Sequence, residues 1–127
     1  YLDQITLSIL QNVNRKDIKL NLLGFSQGGA TVFRWVTQSN LNFDSLTLWA
    51  GAFPEDIDYF EERDFFNSLN LHIVIGDEDP FYNEERVTKQ TLLLADKNIN
   101  YTLIRFQGHH KVLPIPLKEL EESLKNS

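Results

Sequence analysis

The sequence of 127 residues contains neither cysteine nor methionine. Without cysteine the chain can form no disulfide and can offer no thiolate to a metal. Thiol-free proteins occur in every redox environment, so the compartment stays undetermined, with the cytoplasm favoured. Because the chain starts at Tyr1 and has no methionine, we expect that upstream residues have been removed or left out.

Clusters of basic residues and long apolar runs are also missing. The net charge is -6 and the isoelectric point is near 4.9, which argues against nucleic acid as a partner, because that affinity depends on clustered Lys and Arg. No apolar run approaches the roughly 20 residues that span a bilayer. We therefore expect no transmembrane segment.

What is present is typical of one soluble globular domain over residues 1–127. Hydrophobic residues make up 42% of the chain and charged residues 24%, as in packed proteins of this size. Apolar runs of strand length alternate with helical patterns, which favours a parallel sheet joined by helices. The sequence thus predicts an α/β fold, with a mostly parallel sheet covered by helices on both faces.

The individual elements follow from periodicity, caps and breakers. Leu2, Ile5, Ile9 and Val13 predict an amphipathic amino-terminal helix. The predicted strands are 18–25, 45–54, 71–76 (followed by an acidic loop to Pro80) and 100–110. The other predicted helices are 27–38, a helix after the cap Asn83, and 117–126. The stretch 55–66 is expected to be irregular or a short helix.

The predicted strand that contains "LNLLGF" (20–25) leads into a G-x-S-x-G pattern formed by Gly24, Ser26 and Gly28, before a helix. This pattern is typical of a nucleophilic serine on a tight strand-to-helix turn. A phosphate-binding turn is the alternative, but the G-x-G-x-x-G spacing and the P-loop lysine are absent. We therefore favour a nucleophile at Ser26.

A nucleophilic serine needs a histidine base and a carboxylate that orients the base. The acid candidates are Asp77, Glu78 and Asp79, of which Asp79 is favoured, and the base candidates are His109 and His110. The order serine, acid, histidine is the one found in α/β-hydrolases. Histidines at metal-ligand spacing on a helix are absent, so we expect no metal.

Several motifs resemble the phospholipase/carboxylesterase family of α/β-hydrolases, which includes the acyl-protein thioesterases. The matching stretches are "GFSQGGA" (24–30), "WAGAFP" (49–54), "GDEDP" (76–80) and "FQGHH" (106–110). The resemblance implies a serine esterase that needs no cofactor and acts on a small ester or acyl substrate. It covers the chain, but only the carboxyl-terminal half of the family's domain.

Carried over by position, the resemblance implies Ser26 as nucleophile, Asp79 as acid and His110 as base. Relatives often have glycine where this chain has His109, so the choice between the two histidines stays open. The backbone N–H of Gln27 would contribute to the oxyanion hole, whose other donor belongs to the missing half. The alternative is a non-catalytic half-domain or a proteolytic fragment that needs its missing amino-terminal half. The candidate protein partners are that missing fragment or, in a homo-oligomer, a second copy of the chain.

Overall fold

The structure is a computed structural model that describes residues 4, 19–39, 41–51, 54, 61–81 and 83–125. Within these ranges strands and helices alternate along the chain. The elements are β1 (Asn21–Phe25), α1 (Gln27–Gln38), β2 (Ser45–Trp49), α2 (Arg63–Ser68), β3 (Asn70–Gly76), α3 (Glu84–Asp96), β4 (Thr102–Phe106) and α4 (Pro114–Lys125). The predicted amino-terminal helix and the end of the last predicted helix lie outside the described residues.

The four strands form one sheet in the order β1-β2-β3-β4, and every neighbouring pair is parallel. Parallel neighbours need a long crossover connection, and the intervening segments supply it. All carboxyl ends of the strands therefore lie at the same edge of the sheet. This arrangement confirms the predicted α/β fold.

The central strands of the sheet are buried on both faces because their alternate side chains enter two different clusters. On β3, Ile73 and Ile75 join a large cluster with residues of α1, α2 and α3, such as Phe33, Phe66 and Leu94. Val74 points to the other face, where a smaller cluster includes Trp49, Phe106 and Leu120 of α4. The helices thus cover both faces of the described sheet, as predicted.

The helix boundaries of α1 and α3 agree with the sequence prediction. Asn83 caps α3, since its side-chain oxygen accepts a hydrogen bond from the backbone N–H of Arg86 at 3.1 Å. The last helix differs, because it begins at Pro114 rather than Leu117. Proline is well suited to the first turn of a helix, where its missing N–H has no intrahelical partner.

β2 and β4 end earlier than predicted, whereas β1 and β3 end at Phe25 and Gly76 as predicted. β2 stops at Trp49 because Ala50 has a φ of 54°, a left-handed conformation that ends an extended strand. β3 stops at Gly76 and β4 at Phe106, and the polar residues that follow each of them lie in loops. The polar side chains are therefore on loops that meet at one edge, not on the strands themselves.

Candidate active site

Ser26 occupies the sharp turn between β1 and α1. Its φ of 56° and ψ of -122° lie in a region that non-glycine residues rarely adopt, and such strain typically costs about 1–3 kcal/mol. The backbone N–H of Ser26 donates to the carbonyl oxygen of Trp49 at 2.8 Å. The strained residue is thus fixed to the end of β2.

Two glycines permit this turn by close backbone approach. A Cβ on Gly24 would lie 2.5 Å from the Cα of Gly29, and one on Gly51 would lie 2.7 Å from the carbonyl oxygen of Ser26. By contrast, a Cβ on Gly28 would meet no described atom within 4 Å. Within the G-x-S-x-G pattern, Gly24 is therefore required by a close backbone contact, whereas Gly28 has no such contact with the described residues.

The hydroxyl of Ser26 is directed away from its own helix. A serine at the N-cap usually accepts a hydrogen bond from the first turn, but the Ser26 side chain makes no such cap. Its Oγ lies 2.9 Å from Nε2 of His110 instead. The hydroxyl is therefore available to a base at the apex of the turn.

His110 connects Ser26 to a buried carboxylate. Its Nδ1 lies 2.6 Å from Oδ2 of Asp79, whose side chain is 0% exposed. The other carboxylate oxygen of Asp79 accepts the backbone N–H of Phe81 at 2.8 Å. These contacts hold the carboxylate in one orientation. Because a carboxylate accepts hydrogen bonds, this contact favours the His110 tautomer with its proton on Nδ1, which leaves Nε2 as an acceptor for the Ser26 hydroxyl.

The imidazole of His110 lies between two aromatic rings. The ring centroid of Phe25 is 5.0 Å from that of His110, and the centroid of Phe81 is 4.9 Å away. The loop that carries the histidine is also tethered, because Nε1 of Trp49 donates to the carbonyl oxygen of Lys111 at 3.1 Å. Sequence reasoning did not assign a role to these three aromatic residues. The available signal was that Phe25 and Trp49 end strands and that Phe81 follows the acid loop.

The acid loop and the histidine loop are joined through their backbones. A Cβ on Gly76 would lie 2.5 Å from the carbonyl oxygen of Gly108, so only glycine allows this approach. The N–H of Glu78 donates to the same carbonyl oxygen at 2.9 Å. His109 extends the junction, since its Nδ1 lies 3.1 Å from the carbonyl oxygen of Glu78.

The other candidate acids face different partners. Oδ1 of Asp77 lies 3.0 Å from a guanidinium nitrogen of Arg105, which also pairs with Glu84. These two hydrogen bonds raise the pKa of Arg105, and the pKa of Glu84 is lowered by its bond to that arginine. Glu78 pairs with the exposed His109, with 3.4 Å between the carboxylate and Nε2. The structure therefore brings Ser26, Asp79 and His110 together and leaves Asp77, Glu78 and His109 outside that chain.

A cleft of about 720 Å³ opens beside Ser26. Gln27, the predicted oxyanion-hole residue, lines it, and its N–H belongs to the first helical residue, where no intrahelical acceptor exists. The cleft residues are Ser26, Gln27, Ala30, Thr31, Arg34, Ala50, Gly51, Phe81, Arg86 and His110. A substrate held in this cleft would contact both the hydroxyl and the imidazole.

The described residues lack both a membrane-spanning helix and a cluster of metal-binding side chains. No helix among them is both long and apolar enough to cross a lipid bilayer. Nor do they contain a group of three or more histidine, aspartate or glutamate side chains placed to hold one metal ion.

Solved structures of similar fold include a thioesterase and a carboxylesterase. Acyl-protein thioesterase 2 from Zea mays superposes with a TM-score of 0.72 at 19% identity, over 98% of this chain and 62% of its own. SOBER1 from Arabidopsis thaliana gives 0.71 at 18% identity, over 97% and 59%. A carboxylesterase from Bacillus cereus gives 0.70 at 16% identity, over 98% and 57%.

Sequence comparison adds nothing to the structural likeness, since neither a family model nor a curated protein matches the chain. The described strands and helices share the α/β fold of part of each of these structures. The chain spans about 60% of the length of the solved structures that it resembles.

Proposed function

We propose that this protein is a serine hydrolase that cleaves carboxylic esters or thioesters through an acyl-enzyme on Ser26. The observation that carries the proposal is the continuous path from the Ser26 hydroxyl through His110 to the buried carboxylate of Asp79. The likeness in fold to a thioesterase and a carboxylesterase supports the same substrate class.

In the first step, Oγ of Ser26 attacks the substrate carbonyl carbon while Nε2 of His110 takes the hydroxyl proton. Asp79 stabilises the resulting imidazolium. The negative charge on the carbonyl oxygen develops near the N-terminus of α1, where the N–H of Gln27 can donate to it. The adduct then collapses, and His110 returns its proton to the departing alcohol or thiol.

The second step repeats this chemistry with water. His110 removes a proton from a water molecule, whose oxygen attacks the acyl carbon bound to Ser26. When the new adduct collapses, the carboxylic acid leaves and His110 returns the proton to the Ser26 oxygen. Each proton taken is returned, so the protein regains its starting state without a cofactor.

A fluorophosphonate probe followed by intact-mass analysis tests this function. The protein is used with any sequence that naturally flanks these 127 residues. We expect one covalent adduct on Ser26, lost in Ser26→Ala and His110→Ala, whereas Ser123→Ala keeps it as a matched control. Labelling that persists in Ser26→Ala would show that another residue is the nucleophile.

A second candidate is a half-domain that is catalytically inactive until more protein completes it. The exposure of apolar side chains on β1 favours it, because Leu23 is 40% and Phe25 is 36% exposed. β1 is also an edge of the described sheet, and an open apolar edge is a natural place for another strand to pair. Labelling only in the presence of a co-purifying fragment, detected by mass, would support this candidate.

A further inference from the structure

The largest apolar group in the described lining of the cleft is the ring of Phe81, which is 65% exposed. A single exposed apolar side chain is common on protein surfaces, but this ring lies beside the imidazole of His110, with 4.9 Å between the centroids. We propose that Phe81 binds the leaving group of the substrate, an alcohol or thiol with an apolar body such as an aromatic ring. This inference rests on the proposed function, and it specifies one of the two halves of the ester.

The proposed reaction determines where the two halves of an ester lie. In the adduct on Ser26, the negatively charged oxygen faces the N–H of Gln27 at the start of α1. The leaving oxygen or sulfur must come within hydrogen-bond reach of Nε2 of His110, because that nitrogen returns the proton to it. The body of the leaving group therefore extends from a point beside the imidazole, which is where the ring of Phe81 lies.

The backbone of Phe81 is fixed on both sides of its Cα atom. Its N–H donates to Oδ1 of Asp79 at 2.8 Å, and its carbonyl oxygen accepts from Nη1 of Arg86 at 2.7 Å. The residue is thus tied both to the acid loop and to the first turn of α3. A binding group whose position is set before the substrate arrives loses less freedom on binding, so these bonds suit Phe81 to select a substrate.

Phe25 also contacts the imidazole of His110 but has a different place in the site. Its ring centroid lies 5.0 Å from that of His110, yet it is not among the described residues that line the cleft. Of these two rings, Phe81 is the one that combines contact with the base and access from the cleft. An aromatic group of the substrate can pack on it in the offset or edge-to-face arrangement that aromatic pairs prefer.

The experiment places the same phenyl ring on either side of an ester. The first pair is 2-phenylethyl butyrate and propyl butyrate, which differ in the leaving group, and the second is propyl 4-phenylbutyrate and propyl butyrate, which differ in the acyl group. In the protein with its natural flanking sequence, kcat/KM should be about fivefold higher for the ring-bearing member of the first pair. Phe81→Ala should bring this ratio close to one and leave the ratio of the second pair unchanged.

The ratio within a pair cancels any general loss of activity that follows because Phe81 also packs against the base. Phe81→Tyr keeps the ring and should keep the ratio of the first pair. Leu92→Ala, which shortens another exposed apolar side chain on α3 outside the cleft lining, is the matched control. A first-pair ratio near one in the unsubstituted protein, or one that survives Phe81→Ala, would overturn the inference. A loss confined to the second pair would also overturn it, because Phe81 would then bind the acyl group.

Binding separates this inference from the proposed function. The product alcohol 2-phenylethanol is titrated into the protein, and saturation-transfer NMR of its phenyl protons gives the Kd. Phe81→Ala should weaken binding about fivefold, and Leu92→Ala should leave it unchanged. If no ester is hydrolysed and Ser26 is unlabelled, the proposed hydrolase has failed, but binding that depends on Phe81 would still establish the apolar site. No binding of 2-phenylethanol in that case would refute both.

Discussion

Two regions of this molecule contain a serine and a histidine in the same contact. At the sheet edge, Nε2 of His110 lies 2.9 Å from the Ser26 hydroxyl, and inside the fold, Nε2 of His72 lies 2.9 Å from the Ser123 hydroxyl. The two pairs differ in what stands behind the imidazole. Nδ1 of His110 faces a carboxylate at 2.6 Å, whereas Nδ1 of His72 has a backbone carbonyl at 3.4 Å.

The pairs also differ in access and in backbone. His72 is 3% exposed on β3, and Ser123 belongs to the regular helix α4. Ser26 instead has a strained backbone and lines an open cleft. A serine–histidine contact is therefore not sufficient for nucleophilic catalysis, which also needs an orienting acid and space for a substrate.

The largest effect should come from breaking one pair and not the other. Ser26→Ala or His110→Ala should lower kcat for 4-nitrophenyl butyrate by about 1000-fold or more, because nucleophile or base is lost. Ser123→Ala should leave kcat within about twofold. Comparable losses in Ser26→Ala and Ser123→Ala would indicate that stability rather than chemistry was changed, and thermal unfolding of each variant separates the two.

The acid loop offers the next comparison, between two aspartates two residues apart. Asp79→Asn should reduce kcat about 1000-fold, because an amide at this position would donate to Nδ1 of His110 and place the imidazole proton on the nitrogen that must accept from Ser26. Asp77→Asn, which affects the contact with Arg105, should cost less than about fivefold. Similar losses in steady-state kinetics would refute this assignment of the acid.

The sequence was sufficient to predict the alternation of elements and the shared edge at which the polar residues meet. It also limited the acid to three neighbouring residues and the base to two. It did not decide among them by physical reasoning alone, because adjacent loop residues point in different directions. The contact between the Gly76 and Gly108 segments brings Asp79 and His110 together, and it depends on partners distant in sequence.

Other features depended on contacts that no local pattern reveals. The left-handed Ala50 that ends β2 is an ordinary alanine in the sequence. The aromatic rings around His110 come from the end of β1 and from the loop after β3, and Trp49 reaches that histidine's loop from β2. The catalytic roles of Ser26 and His110 themselves stay predictions.

The turn that aims Ser26 can be tested through its glycines. Gly24→Ala forces a Cβ into the backbone of α1 and should destabilise the protein by about 1–3 kcal/mol. Gly28→Ala lies on a helix and meets no described atom within 4 Å, so it should be neutral or stabilising by up to about 1 kcal/mol. Chemical denaturation measures both, and equal destabilisation by the two variants would contradict this account of the turn.

The tether on the His110 loop should have a smaller effect. Trp49→Phe removes the donor to the carbonyl oxygen of Lys111 but keeps an aromatic ring in the core. We expect kcat to fall about 3–10-fold as the imidazole is held less firmly, with a stability loss of about 1–2 kcal/mol. A lower unfolding temperature with unchanged kcat would mean that Trp49 only fills the core.

The smallest effect concerns the interior pair and appears as a pH dependence. Burial lowers the pKa of His72 below its ordinary value of 6.5, so the unfolded state binds its proton more readily than the folded state. The contribution to stability is fully present above pH 6.5 and declines as the pH falls below that value. His72→Gln should therefore lose less stability than the unsubstituted protein between pH 8 and pH 5.5, as measured by urea denaturation.

Ser123→Ala is the matched control for this measurement, because it leaves the buried imidazole in place and should keep the pH dependence. If His72→Gln shows the same loss as the unsubstituted protein, the dependence comes from other groups. A reduced slope in His72→Gln alone would show that the interior imidazole is held neutral by burial. Its contact with a serine would then be a means of satisfying a buried polar group, in contrast to the contact at the open cleft.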